Sequence, residues 1–296
     1  MIFIAILLAL VAERFLLEQE SFRRFDWFTG YLNWLRHQSW GEWLTGGITG
    51  IVAVLFPPLL AVGLLQWALY GLFFGVPGLI FATCLLIYCL GPKDLDRQVS
   101  DFVAAWDAGE EEEARTIAAD LVPEDASDYG QDLARGIVGQ ACNRIFAVPF
   151  WFILLGPLGA LLYRLAHYLQ SITADNEEFE PEFHAGLQRL LAILNWLPAR
   201  LAATGYALAG DFHDAVMAWR DAEASEPDSE TADHDSTALA AAVGVAALGM
   251  ETLEREEPQP EHLPVHLAQS ALGLVWRSVL IWLAVLVLVT FSLWFG

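Results

Sequence analysis

From Trp43 to Pro92, about fifty consecutive positions carry no charged side chain and consist mostly of Leu, Val, Ala, Phe, Gly and Ile. A continuous helix of that length would be roughly 75 Å long, whereas the hydrocarbon core of a bilayer is about 30 Å thick. The run therefore predicts two membrane crossings joined by a turn. Gly71, Gly75, Pro77 and Gly78 supply the turn, with Trp67 and Tyr70 as interfacial aromatics. Nothing in the run alternates with period two, and in lipid only helices or closed barrels satisfy the backbone. Helices are the expectation.

Two more charge-free stretches are long enough to span. One lies between Arg144 and Arg164, the other follows Arg277. The N-terminal segment is apolar up to Val11 and is then interrupted by Glu13 and Arg14. No basic residue precedes its apolar core, so it reads as a retained helix rather than a cleaved signal.

The pattern divides the chain into seven parts. They are an N-terminal apolar helix (1–17), a polar aromatic loop (18–44), a transmembrane hairpin (45–90), an acidic helical block (91–144), a transmembrane helix (145–169), an amphipathic and acidic helical block (170–272) and a C-terminal transmembrane helix (273–295). The fold expected is all-α, a polytopic helical membrane protein with helical extramembrane blocks. In the first block Leu95, Val99, Phe102, Val103 and Trp106 recur at helical spacing. Ala108-Gly109-Glu110 and Ala209-Gly210-Asp211 read as matching helix–turn–helix corners, a glycine closing one helix and an acid capping the next. Residues 222–235 read as an acidic loop.

Charge orients the chain. Arg23, Arg24 and Arg36 precede the hairpin, and Lys93 and Arg97 follow it, which puts block 91–144 in the cytoplasm. The side occupied by 170–272 stays open, because Leu187 to Ala209 forms a long amphipathic stretch, with Arg189 and Arg200 on its polar side, that suits the interface or the bundle. The formal net charge of −22 resides in the polar blocks and argues against nucleic acid and against a polybasic lipid-binding surface. Several of the twelve Trp flank the expected spans, as an aromatic belt does.

Motifs of catalysis are absent: no phosphate-binding Gly-rich loop, no nucleophile elbow and no HExxH. Cys84, Cys89 and Cys142 have no ligand spacing. His213 lies between Asp211 and Asp214 at a helix start, where capping accounts for the acid. Pro264 separates His262 from His266, so no zinc pair is expected there. No catalytic residue, metal site or cofactor is assigned. Polar residues at the edges of the spans are the better candidates, since ionisable groups at membrane depth face cavities or partners. Asn143, Arg144, Arg164, His167 and Arg200 are expected to form an anion cavity at the membrane–cytoplasm boundary. Pairing of the arginines with Glu13, Asp94 or Asp96 is the structural alternative.

Three stretches carry a family likeness: DLDRQVSDF (94–102), GQACNRIFAVPFWFILLGPLGALLYRLAHYL (139–169) and LPARLAATGYALAGDFHDA (197–215). Together they resemble the AmpE family of bacterial inner-membrane proteins, which is itself distantly similar to the CobD/CbiB cobalamin-biosynthesis synthases. The synthase counterpart carries GRDT, ES-x-AEN, PLFW and NTLDSM patterns. Here the chain has Gly139-Gln140-Ala141-Cys142, Asn143-Arg144, Pro149-Phe150-Trp151 and Ala166-His167-Tyr168, while Pro198-Ala199-Arg200 matches the synthase PAR. The acidic and hydroxyl residues of the synthase pattern are largely missing.

The resemblance implies a multi-pass inner-membrane regulatory or sensor protein that modulates β-lactamase induction and cell-wall stress signalling, without intact synthase chemistry. An enzyme related to adenosylcobinamide-phosphate synthase, forming an amide bond and binding a nucleotide or cobamide precursor, is the alternative, and a small transporter is a third. The partners implied are the lipid bilayer, membrane or cell-wall signalling proteins and, left open, a second copy of the chain.

Overall fold

The computed structural model describes residues 25–37, 47–69, 76–90, 95–122, 128–174, 176, 179–224, 236–249 and 262–295. The expected N-terminal helix with Glu13 and Arg14, most of the following loop, Gly71, Gly75, Asp94 and the acidic residues 225–235 lie outside them. Every described element is a helix, and no strand occurs among the described residues, so the all-α expectation holds. Among the described residues three helices are long and apolar enough to cross a membrane: Gly47–Leu69, Tyr129–Leu155 and Leu263–Ser292.

Two compact units divide the chain. The first comprises residues 1–92 and 147–194. It holds α1 (Asp26–Arg36), α2 (Gly47–Leu69) and α3 (Val76–Cys89). On α2 the exposed residues Ile48, Val52, Phe56, Leu60 and Leu64 recur every fourth position, whereas Ile51, Val54 and Leu55 are buried. An exposed stripe of large aliphatic and aromatic side chains is unfavourable in water and favourable against acyl chains. The second arm, α3, has 14 residues, about 21 Å, and is shorter than a bilayer core is thick.

The expected span 145–169 is interrupted. Its first part continues the helix that starts at Tyr129, and this helix ends at Leu155. Gly156 then adopts φ 68° and ψ −155°, a backbone region open essentially to glycine, and Pro157 starts α8 (Pro157–Thr173). A Cβ on Gly159 would run into the Trp151 carbonyl, so the backbones on either side of the turn are in close contact. Hydropathy alone reads through this turn, because two uncharged residues barely lower the mean of a window filled with Leu, Ile and Phe. The α1 helix docks through buried Phe28 and Leu32. Its Trp27 donates to the Tyr88 hydroxyl at 2.8 Å, and Thr29 shares a hydrogen bond with Tyr168 at 3.1 Å.

The second unit comprises residues 93–146 and 195–296. Its helices are α4 (Leu95–Asp107), α5 (Glu111–Ile117), α6 (Tyr129–Ala141), α10 (Phe212–Ala224), α11 (Ser236–Ala247) and α12 (Leu263–Phe295). A π-turn over Cys142–Phe146 links α6 to α7 (Ala147–Leu155), and α9 (Pro181–Ala209) runs from the first unit into the second. The core joins Val99 and Phe102 of α4, Leu133 and Ile137 of α6, Tyr206 of α9, Val243 of α11 and Leu274 of α12. Gly136 abuts the Leu121 carbonyl and Gly210 the Ala247 carbonyl so closely that neither has room for a Cβ. Asp211 caps α10, its Oδ1 accepting from the backbone N–H of His213 and Asp214. Capping thus accounts for the acid beside His213.

Candidate functional site

The strongest polar constellation is built around the π-turn of the second unit. Such a turn widens the backbone spiral by one residue and is frequent at functional positions. Here it carries Asn143 and Arg144, both half-buried. Upstream, Tyr206 donates its hydroxyl to the Val138 carbonyl at 2.8 Å. Arg144 directs Nη1 to Oε1 of Gln98 at 3.2 Å and Nη2 toward Oδ2 of Asp120 at 3.8 Å. The first is a hydrogen bond, and the second is a charge pair too long to be one. Gln98 is itself buried, and its amide donates to the Ile117 carbonyl at 2.8 Å and to Asp120 Oδ1 at 3.4 Å. That bond fixes which end of the amide faces the arginine. A guanidinium has five donors in a planar fork suited to carboxylate or phosphate.

The other expected residues have different surroundings. In the second unit the Arg200 guanidinium stacks on the Trp196 ring at 4.4 Å. Arg164 and His167 belong to the first unit. The Arg164 guanidinium lies 5.8 Å over the Phe25 ring, and the His167 ring packs 4.6 Å from that of Tyr163. Of the acids in the structural alternative, Glu13 and Asp94 lie outside the described residues. An acid does pair with Arg144, but it is Asp120, while Asp96 accepts from the indole of Trp276 at 3.2 Å. Among the described residues no group of three or more His, Cys, Asp or Glu is placed to hold a metal ion.

Sequence reading missed Gln98 and Asp120. Gln98 had a signal: it is an amide on the buried face of α4, beside Leu95, Val99 and Phe102, inside one of the family-like stretches. Asp120 had none, since only the tertiary fold brings it to Arg144.

Comparison with known proteins covers most of the chain. A family model described as CobD/Cbib protein matches residues 6–271. The cobalamin biosynthesis protein CobD of Stutzerimonas stutzeri (strain A1501) is 31% identical over 261 residues, 82% of each chain. Its namesake in Chromobacterium violaceum is 30% identical over 179 residues, 59% of this chain and 55% of its own. Protein AmpE of Shigella flexneri is 26% identical over 166 residues, 53% of this chain and 58% of its own. No solved structure matches the chain. With residues 6–271 matched by the family model and a relative 31% identical over 82% of both chains, the chain belongs to the CobD/CbiB protein family.

Proposed function

We propose that this protein is an enzyme of cobalamin assembly in the bacterial inner membrane, which joins the amine of an amino-alcohol arm to a corrinoid carboxyl group as an amide. The observation that carries the reading is the relative named for cobalamin biosynthesis, which is 31% identical and covers 82% of both chains. The π-turn cluster supports it chemically. Arg144 offers guanidinium donors to an anionic carboxyl or phosphate, and Asp120, beside it, is an acceptor for an ammonium. Gln98 orients the arginine through a buried, fully directed amide. A carboxylate and an amine do not condense unaided near neutral pH, so a nucleoside triphosphate belongs to the reaction as co-substrate: it would phosphorylate the carboxylate, and the amine would displace phosphate and lose a proton as the amide forms.

Complementation tests the reading. A bacterium lacking its own amide-forming synthase, given cobyric acid and expressing this chain, is expected to regain cobalamin-dependent growth. No growth, with the protein present in the membrane, would contradict it.

A regulatory reading rests on one specific observation. The stretch that carries carboxylates in the synthases has Arg144 here, closed onto Asp120 and Gln98. In that reading the cluster is a structural clamp in a sensor of cell-wall stress that acts with membrane signalling partners, as the resemblance to AmpE suggests. Its test is separate: deletion of the chain would alter β-lactamase induction and leave corrinoid synthesis unchanged.

A further inference from the structure

One side chain, Tyr206 of α9, touches both ends of the π-turn over Cys142–Phe146. Tyr206 is fully buried, and its hydroxyl donates at 2.8 Å to the carbonyl of Val138, one helical turn before Cys142. Its ring packs edge-on against that of Phe146, the last residue of the turn, with centroids 5.8 Å apart and planes at 89°. Gly244 of α11 leaves room for this arrangement. A Cβ there would stand 2.9 Å from the Val138 side chain and 3.1 Å from the Tyr206 ring, so α11 carries no side chain where these two meet. All of these residues belong to the second unit.

The contacts fall where the helix changes its winding. The N–H of Cys142, the first residue of the turn, is shared between the Val138 and Gly139 carbonyls. A shared donor bonds each acceptor more weakly, and the Tyr206 hydroxyl gives the second lone pair of Val138 a donor of its own. A π-turn holds one residue more than α-helical winding does. Relaxing it would rotate the segment beyond by about 100° against α6. Arg144 lies inside the turn, so its bond from Nη1 to Oε1 of Gln98 at 3.2 Å depends on that winding. We infer that Tyr206 is a positioning residue: by joining Val138 to Phe146 it holds the π-turn, and so aims Arg144 at the carboxyl or phosphate of the substrate. The aim at a substrate anion rests on the amide-forming reading above, whereas the hold on the turn is independent of it.

A double-mutant cycle read in two backgrounds tests this on the full-length protein in detergent. Gln98→Ala, Arg144→Met and their combination give the coupling between the two side chains from denaturation midpoints, once in the wild type and once in Tyr206→Phe. The wild type is expected to show coupling, and Tyr206→Phe to lose it. A hydroxyl that only fills the core would lower every midpoint and leave the coupling intact, and that result, or no coupling in the wild type, would overturn the inference. Should Tyr206→Phe fail to fold, Phe146→Leu removes the ring contact and keeps the hydroxyl, and unchanged coupling there overturns it equally. Activity is the second readout. With cobyric acid, aminopropanol and ATP, Tyr206→Phe is expected to lower kcat/KM about tenfold or more in folded protein, and to add no loss in the Arg144→Met background. A loss in that background as large as in the wild type would overturn the action through Arg144. Absence of product from wild-type protein would contradict amide formation alone, with the coupling still deciding on Tyr206.

Discussion

The indole of Trp151 donates to the carbonyl of Leu194 at 2.9 Å, and that carbonyl is the one that Pro198 leaves without a helical donor. Trp151 ends the Pro149-Phe150-Trp151 motif, and Leu194 lies one helical turn before Pro198-Ala199-Arg200 on α9. The first prediction is a coupling between Trp151 and Pro198. Replacing Trp151 with Phe should cost about 1–3 kcal/mol, because a buried carbonyl loses its partner. In a Pro198→Ala background the helix regains its own donor, and the same replacement should cost clearly less. Equal costs in a double-mutant cycle of thermal unfolding in detergent would refute the relationship.

The same device recurs on α2. Pro58 deprives the Val54 carbonyl of its donor, and the Tyr31 hydroxyl reaches it at 3.4 Å. At this length the bond is weak. Tyr31→Phe should therefore cost only about 0.5–1 kcal/mol, and Pro58→Ala should abolish even that difference. A loss of several kcal/mol on removing the hydroxyl would mean that Tyr31 does something else.

Glycines on the two sides of a distinction give a third prediction. Gly159 has no room for a Cβ beside the Trp151 carbonyl, whereas nothing lies within 4 Å of a Cβ on Gly30. Gly159→Ala should destabilise the first unit by about 1–3 kcal/mol or more, since backbone must move. Gly30→Ala lies within helix α1 and should be neutral or stabilise by about 0.5–1 kcal/mol. Midpoints of thermal unfolding read both, and similar effects at the two sites would contradict the packing described for the turn at Gly156.

How far the amino-acid sequence reveals these features depends on whether their cause is local. The charge-free run, the α4 periodicity and the Asp211 cap are local, and each was legible from a few neighbouring residues. The break at Gly156 was visible as a Gly-Pro pair but hidden by hydropathy, which scores apolar residues alike whether a helix continues or turns. The arginines were recognisable as costly charges at span ends, yet their partners were not. Trp196 under Arg200 and Gln98 beside Arg144 are an aromatic and an amide, and the carboxylate that reaches Arg144 is Asp120, which only the tertiary fold brings to it. Cation–π stacking holds a guanidinium against a ring, and charge counting along a chain cannot foresee it.

A fourth prediction separates the members of the π-turn cluster by burial. The Arg144 and Asp120 side chains are 16% and 38% exposed and 3.8 Å apart, so their pairing is partly screened. Asp120→Asn should cost less than about 1 kcal/mol and show a smaller effect in high salt. Gln98→Ala should cost more, about 1–3 kcal/mol, because it removes a buried amide that donates to the Ile117 carbonyl. The reverse order in denaturation midpoints would mean that the charge pair, and not the amide, holds the cluster together.

The central claim is that the protein forms an amide bond on a corrinoid. Its most direct measurement is mass spectrometry of the corrinoid after incubating membranes containing the chain with cobyric acid, an aminopropanol arm and ATP. The account predicts a new amide product that requires the amine and the nucleotide and falls at least tenfold when Arg144 is replaced by Met in protein that remains folded. Recovery of unchanged cobyric acid with folded wild-type protein, while deletion of the chain alters β-lactamase induction, would contradict it.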